Sequence, residues 1–128
     1  MNLTIDTGIA AHIGLYSDAI EVGGGARWLV TAGTVGVRPD GTCPESFEEQ
    51  AAQAWANLLS ALEKADMTVD DLVKITQYLV RPSDVAAYRA VRARYAPDAR
   101  PASTLVFVAA LVRPEWLIEI EAVAAKAP

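Results

Sequence analysis

Cysteine and histidine are scarce in this sequence, and their scarcity excludes several kinds of site. Cys43 and His12 are each the sole residue of their type among 128. A disulfide framework, the usual zinc sites and a Ser-His-Asp or Cys-His triad each need residues that are missing here. His12 alone is interpreted as a surface or packing residue. Cys43 has no basic residue immediately beside it and is interpreted as an ordinary thiol.

Positive charge and long apolar runs are also scarce. Lys and Arg number 11 against 16 Asp and Glu, so the net charge of -5 repels nucleic-acid phosphates. The N-terminal residues lack the basic and apolar segments of a signal peptide, and no apolar run approaches the roughly 18 residues of a membrane span. No P-loop or dinucleotide-binding fingerprint is present. We expect a soluble cytoplasmic protein with no nucleic acid partner, no membrane contact and no metal or cofactor.

Apolar residues, in contrast, are abundant and periodic. They make up 52% of the chain, enough to form a core. A chain of this length matches a single domain over 1–128, because domains have roughly 100 to 200 residues. Turn residues and apolar periodicity predict the order β-β-α-β-α-β-β. The predicted strands are 19–22, 26–34, 72–80, 104–111 and 116–124.

Two helices are predicted between these strands. Ser46 caps the first, with Glu49 reaching back in a capping box, and an apolar stripe runs from Phe47 to Ala65. Asp84 caps the second helix. The two strands before the first helix and the two after the second are predicted to form hairpins. The fold class is therefore α+β, a two-layer sandwich in which both helices cover one face of a mixed sheet.

The strand predicted over 104–111 points beyond the monomer. Its apolar run does not alternate, which is typical of a strand buried on both faces. Two helices are too few to cover both faces of the sheet. We therefore expect a closed homo-oligomer that packs through the sheet face opposite the helices.

Two carboxylates are candidates for chemistry. Glu119 and Glu121 alternate with Ile118 and Ile120, so they point to one side of their strand, roughly 7 Å apart. One interpretation is a solvated strand face. The other places this face in a cleft, where burial and a like-charged neighbour would raise one carboxyl pKa and suit it to proton transfer.

Gly33 and Tyr16 are weaker candidates. Gly33 lies in what is predicted to be the interior of a strand, where glycine indicates either a bulge or a close approach to the backbone. Tyr16 follows a short apolar stretch, so its phenol either enters a pocket or packs.

Short segments in this order resemble the RidA (YjgF/YER057c) family, also called the L-PSP endoribonuclease-like family. The resemblance runs from about Ile13 to Ala124, and its most specific part is the last. The segments are Ile13-Gly14-Leu15-Tyr16-Ser17, Ala32-Gly33, Arg38-Pro39-Asp40-Gly41, the helix from Gln50 to Asn57, Val73-Lys74-Ile75-Thr76, Arg100-Pro101-Ala102-Ser103-Thr104 and Ile118-Glu119-Ile120-Glu121-Ala122.

The resemblance implies a chorismate-mutase-like fold in a homotrimer with a central barrel and sites in the three clefts between subunits. Characterised family members hydrolyse enamines and imines, such as 2-aminoacrylate, to a keto acid and ammonia without a cofactor. By similarity, Glu119 would position or activate water, and Tyr16 would contact the small-molecule substrate. Gly33 would present its backbone to the site.

The departure from the family that matters most is at Ser103. The deaminase subgroup has Pro-Ala-Arg-Ser, whose arginine clamps the substrate carboxylate, whereas here Ser103 and Thr104 follow Pro-Ala. Leu105 replaces the usual cysteine, and Phe107 replaces a polar residue, which makes the pocket more apolar. Losing a charged hydrogen bond of about 1.5 to 3 kcal/mol would lower affinity for a small amino-acid imine by about one to two orders of magnitude.

Three functions remain open from the sequence. The first is an imine or enamine hydrolase for a different substrate, for example a larger, apolar or uncharged one, with Arg100 or Arg113 as a substitute clamp. The second is a trimer that binds a small metabolite or regulates without turnover. The third is an endoribonuclease, against which the acidic charge and the lone histidine argue.

Overall fold

The computed structural model describes residues 2–128. Short 3-10 turns at Ala10–His12, Val69–Asp71 and Pro82–Asp84 separate the longer elements. Those elements are β1 (Asn2–Ile5), β2 (Ala19–Val22), β3 (Arg27–Val30), β4 (Thr34–Val35), α1 (Phe47–Lys64), β5 (Leu72–Leu79), α2 (Val85–Tyr95), β6 (Ala102–Phe107) and β7 (Ile118–Lys126).

A mixed sheet with two helices on one face forms the body of the molecule. The strand order is β3-β7-β5-β6, and β4 continues β3 along β7. Strands β5 and β6 are parallel, joined by α2 as a crossover, and the pairs with β7 are antiparallel. This confirms the predicted α+β class and the crossover.

Both predicted hairpins are wrong. Strand β2 pairs with β1 in a separate two-stranded sheet, and β3 pairs with β7. Strand β7 lies between β3 and β5, so it does not touch β6. Turn residues mark where the chain reverses but not which strand it joins. Strand β1 was not predicted; its apolar residues Leu3 and Ile5 are both exposed and do not pack in the core.

The strand predicted over 26–34 is broken at 31–33. Val30 pairs with Val123, and Thr34 pairs with Ile120. The chain advances four residues from Val30 to Thr34, whereas β7 advances only three between their partners. One extra residue is a β-bulge, and Gly33 lies within it. The bulge expected as one interpretation of this glycine is therefore present.

Strand β6 ends earlier than predicted and lies at the edge of the sheet. It covers Ala102–Phe107, and residues 108–111 leave the strand. Val106 and Phe107 are 37% and 46% exposed, so burial on both faces does not occur within one chain. A second copy that covers this strand stays a prediction.

The helices begin and end for local reasons. The Ser46 hydroxyl accepts from the amide of Glu49 at 3.2 Å, as predicted, although the reciprocal capping-box bond is not found among residues 2–128. Helix α1 ends at Lys64, and two residues later Asp66 has a left-handed φ of 56°. Asp84 stands at the start of α2, but its carboxylate accepts from Arg81 at 2.7 Å instead of capping. This part of the prediction is wrong because an arginine competes for the carboxylate.

The core lies between the helices and the sheet. The two helices contribute Trp55 and Tyr88, and the sheet contributes Ile75, Ile118 and Ile120, all at most 1% exposed. Trp55 also stacks on Tyr95 at 6.5 Å between ring centroids. Within residues 2–128, neither helix is both long and apolar enough to cross a bilayer.

Candidate functional site

The sheet face opposite the helices carries both candidate carboxylates. Glu119 lies opposite Tyr78 on β5, and Glu121 lies opposite Thr76. Ile118 and Ile120, which alternate with them, are fully buried on the helix side. The alternation predicted from sequence therefore places the two glutamates on one face.

Glu119 lies directly against the backbone of Gly33. A β-carbon on Gly33 would stand 2.1 Å from Glu119 Oε2 and 2.8 Å from its Cδ, so the carboxylate occupies the space that a side chain would need. Among residues 2–128, no donor makes a hydrogen bond to this carboxylate. Both oxygens therefore remain available to accept a proton or a hydrogen bond from a water or ligand.

Glu121 is already engaged. The Tyr78 hydroxyl donates to Glu121 Oε1 at 2.6 Å. This hydrogen bond, together with burial and the charges of both glutamates, raises the pKa of Tyr78. Two carboxylates on one face thus have different environments, since Glu121 holds a phenol and Glu119 is free.

The neighbouring part of this face is an open depression of about 230 Å³. Lys74 donates to the Thr104 hydroxyl at 2.6 Å, which places Thr104 on the same face as the glutamates. The depression is lined by Val30, Thr31, Lys74, Thr76, Glu121, Ala122 and Val123.

Two amide side chains of α1 fix the strands that carry Gly33 and Glu119. Asn57 donates to the carbonyls of Val35 and Val37 at 3.1 and 2.8 Å. Gln50, which is 1% exposed, accepts from the Leu117 amide at 2.9 Å, two residues before Glu119. Its own amide donates to two loop carbonyls, also at 2.9 Å. Helix α1 therefore sets the start of β7 relative to β4.

Ser103 and Leu105 lie on the opposite face from Glu119. They pair with Ile75 and Gln77, whose side chains are buried under the helices. The Gln77 amide donates to the Ser103 hydroxyl at 2.9 Å, and Leu105 packs against the core. Ser103, where the family resemblance led us to expect an arginine, is therefore bound to a core glutamine.

A series of hydrogen bonds extends from Ser103 into the core. These hydrogen bonds were not predicted from the sequence. Trp55 Nε1 donates to the Tyr88 hydroxyl at 3.3 Å, and that hydroxyl donates to Gln77 Oε1 at 2.5 Å. Burial raises the pKa of Tyr88, so its phenol stays protonated. The available signal was Gln77 itself, a polar residue in the core-facing series of Ile75 and Leu79.

Tyr16 is in a different part of the chain. It lines a second open depression of about 290 Å³ together with Asp18 and Arg100. The next residue, Ser17, donates its amide to the Pro101 carbonyl at 3.1 Å, so this segment runs beside the start of β6. Tyr16 therefore belongs with β6 rather than with Glu119.

The two arginines considered as substitute clamps have other contacts. Arg100 Nη1 donates to the carbonyls of Pro97 and Ala99, both at 2.9 Å. The Arg113 guanidinium lies over the Trp116 ring, 5.2 Å from its centroid. Neither makes a hydrogen bond to Ser103.

Cys43 and His12 lie outside the candidate site. Burial and the negative charge of Glu115 raise the pKa of Cys43, which is the reverse of what a nucleophilic thiol requires. His12 is exposed in a short turn. Residues 2–128 bring no three His, Cys, Asp or Glu side chains together as a set of metal ligands.

The predicted site residues thus form two groups within one chain. Glu119 and Gly33 make one group, and Ser103, Leu105 and Tyr16 lie at the other end of the sheet. Strand β5 lies between β7 and β6. Because neighbouring strands are about 4.8 Å apart, β7 and β6 are about 10 Å apart. Because Ser103 and Glu119 also point to opposite faces, one chain does not bring both to one small ligand. Thr104 is on β6 with the second group but is on the same face of the sheet as Glu119.

The family model described as endoribonuclease L-PSP matches residues 8–126. A RutC family protein of Pyrococcus horikoshii is 34% identical over 89% of this chain and 89% of its own. The Escherichia coli 2-iminobutanoate/2-iminopropanoate deaminase is 32% identical over 98% of this chain and 99% of its own. A Yersinia pestis structure, described as a conserved Rid family protein of unknown function, matches with a TM-score of 0.85 at 31% identity, covering 98% of both chains. The chain therefore belongs to the RidA/YjgF family, the family of the endoribonuclease L-PSP model.

Proposed function

We propose that this protein hydrolyses a reactive imine or enamine to a carbonyl compound and ammonia, without a cofactor. The observation that carries the proposal is the unoccupied Glu119 carboxylate held against the Gly33 backbone. The similarity to the Escherichia coli deaminase over nearly the whole of both chains supports the same reaction class. The unpaired Cys43 fits a reducing compartment, so we place this activity in the cytoplasm.

The proposed chemistry needs one carboxylate and one water. An imine carbon is already electrophilic, so positioning the water and moving its proton are the tasks left to the protein. Glu119 accepts a proton as the water oxygen bonds to the imine carbon, and the nitrogen takes up that proton to give a carbinolamine. Glu119 then moves the hydroxyl proton to nitrogen. The C–N bond breaks, ammonia leaves with the electron pair, and the C=O bond forms.

We further propose that each site is completed by a second copy of the chain in a homotrimer. Ser103, Leu105 and Tyr16 lie too far from Glu119 to share a small ligand within one chain, as the strand order requires. An adjacent copy would bring its β6 edge to the Glu119 face of its neighbour. The exposed Val106 and Phe107 on that edge support such a contact.

The substrate is proposed to differ from a small amino-acid imine. With serine at position 103, and with Arg100 and Arg113 engaged elsewhere, neither candidate arginine is placed to pair with a substrate carboxylate. Leu105 beside it favours an apolar group. A larger or uncharged imine matches these surroundings better, because an unpaired carboxylate is costly to remove from water.

The test is imine hydrolysis by wild type, Glu119→Gln and Ser103→Arg. Amino-acid oxidases generate imines in situ from acidic, small and bulky apolar amino acids, and semicarbazide traps whatever is not hydrolysed. We expect wild type to lower trapping of at least one imine and Glu119→Gln to lose about 100-fold or more of this rate, in the range of general acid–base catalysis. Equal rates for wild type and Glu119→Gln would refute the role of Glu119.

The second candidate is a binding or regulatory trimer without turnover. The observation that favours it is the absence of the clamp arginine at Ser103. If wild type is silent on the whole panel and only Ser103→Arg gains activity, the scaffold is retained but the reaction is lost. Ribonuclease activity is not proposed, because the net charge of -5 opposes RNA binding.

A further inference from the structure

The hydrogen bonds that reach Ser103 from the core have a fixed direction. An indole N–H only donates, so Tyr88 must accept from Trp55 Nε1 with an oxygen lone pair. The Tyr88 proton is then free for Gln77 Oε1, 2.5 Å away. The hydrogen bonds of Trp55 and Tyr88 therefore orient the Gln77 amide with its oxygen toward Tyr88.

The other end of the Gln77 amide gives the same orientation independently. Gln77 Nε2 lies 3.0 Å from the backbone oxygen of Thr104, which only accepts. The amide nitrogen must therefore face β6, and its second proton goes to Ser103 Oγ at 2.9 Å. Gln77 is only 2% exposed, and no buried side-chain polar atom among residues 2–128 lacks a partner.

This arrangement determines what Ser103 can offer. Its oxygen accepts from Gln77, so its hydroxyl proton is left to donate, and no acceptor within residues 2–128 takes it. Ser103 is half-buried on an edge strand, where a ligand or neighbouring copy can reach the hydroxyl.

We propose that Ser103 is a hydrogen-bond donor that selects a neutral carbonyl oxygen on the substrate, and that Gln77 and Tyr88 position it. The inference rests on the proposed function and narrows its substrate class to imines bearing an amide or ester carbonyl. A neutral hydroxyl satisfies such an oxygen, whereas a carboxylate at the same place would lose hydration without gaining a cation. Gln77 and Tyr88 are positioning residues, because they act through Ser103 and do not touch the substrate.

The test uses two stable carbonyl probes of similar size, 2-oxobutanamide and 2-oxobutanoate. Their affinities for the assembled protein are measured by isothermal titration calorimetry, so the result does not depend on turnover. We expect wild type to prefer the amide, and Ser103→Ala to weaken amide binding by about 2- to 10-fold, as the loss of one neutral hydrogen bond predicts. Ser103→Thr keeps the hydroxyl and should restore the preference.

The positioning role is tested by Tyr88→Phe against Tyr95→Phe. Both tyrosines lie on α2 near Trp55, but the Tyr95 hydroxyl makes no hydrogen bond within residues 2–128, so its loss is the matched control. Tyr88→Phe frees the Gln77 amide to turn and should reduce the preference for the amide probe. Tyr95→Phe should leave that preference unchanged.

The outcomes separate this inference from the proposed function. If imines are not hydrolysed but Ser103→Ala selectively weakens amide binding, the proposed reaction fails and the inference stands. If imines are hydrolysed in a Glu119-dependent way while Ser103→Ala affects both probes equally or neither, the inference is overturned. Absence of binding of both probes to wild type at millimolar concentration also overturns it.

Discussion

The Glu119 carboxylate fills the space beside Gly33 that a β-carbon would occupy, with Oε2 2.1 Å from that position. The missing side chain at Gly33 therefore makes room for the Glu119 carboxylate and does not serve an unusual backbone angle. Since Glu119 can turn away at the end of a flexible side chain, an added methyl group would move the carboxylate without blocking the fold.

Gly33→Ala should consequently resemble Glu119→Gln. We expect imine hydrolysis to fall by about 100-fold or more, while the melting temperature changes by only a few degrees. The measurement pairs the trapping assay with a thermal melt. Gly24→Ala is the control, because a β-carbon there meets nothing within 4 Å. Full activity in Gly33→Ala would show that the position of the Glu119 carboxylate does not matter.

Gly36→Ala should have the opposite profile. A β-carbon at Gly36 would lie 2.5 Å from the Gln50 carbonyl oxygen and 2.6 Å from its Cα, both on the backbone of α1. Helix and strand must move apart, which overpacking data put at about 1 to 3 kcal/mol or more. Urea denaturation should show this loss of unfolding free energy, with Gly24→Ala again unchanged. Equal stability of Gly36→Ala and wild type would contradict the close packing of α1 on this segment.

The sequence predicted what depends on local or periodic signals. The Ser46 cap and the two helices are local, and the shared face of Glu119 and Glu121 follows from strand alternation alone. Strand pairing depends on partners far along the chain, and for this reason both hairpins were wrong and β7 was not placed between β3 and β5.

The candidate site was only partly predictable for the same reason. Glu119, Gly33 and Tyr16 were candidates from the sequence itself and the family resemblance supplied their roles, but the contact between Glu119 and Gly33 arises only from the pairing of β4 with β7. The series of hydrogen bonds from Trp55 through Tyr88 and Gln77 to Ser103 joins α1, α2, β5 and β6, so no single segment contains its pattern. In the sequence, these hydrogen bonds were indicated only by Gln77, a polar residue in a core-facing position.

Stability at alkaline pH should depend on Tyr88. Burial raises the pKa of Tyr88 above the value of about 10 that tyrosine has in the unfolded chain. The native state then holds its proton more tightly, so this contribution is complete below about pH 10 and is lost as the pH rises through the higher native pKa. Urea denaturation of wild type between pH 9 and 11 should show a falling unfolding free energy.

Tyr88→Phe removes the ionisable group and should be less stable than wild type at pH 9, because Trp55 Nε1 and Gln77 Oε1 lose their partner. Its decline between pH 9 and 11 should be shallower, since one tyrosine no longer favours the unfolded state by ionising. Tyr95→Phe serves as the control for the loss of a hydroxyl on the same helix. Parallel pH profiles for wild type and Tyr88→Phe would mean that Tyr88 ionises as readily in the folded protein as in the unfolded chain, and would contradict the rise in its pKa caused by burial.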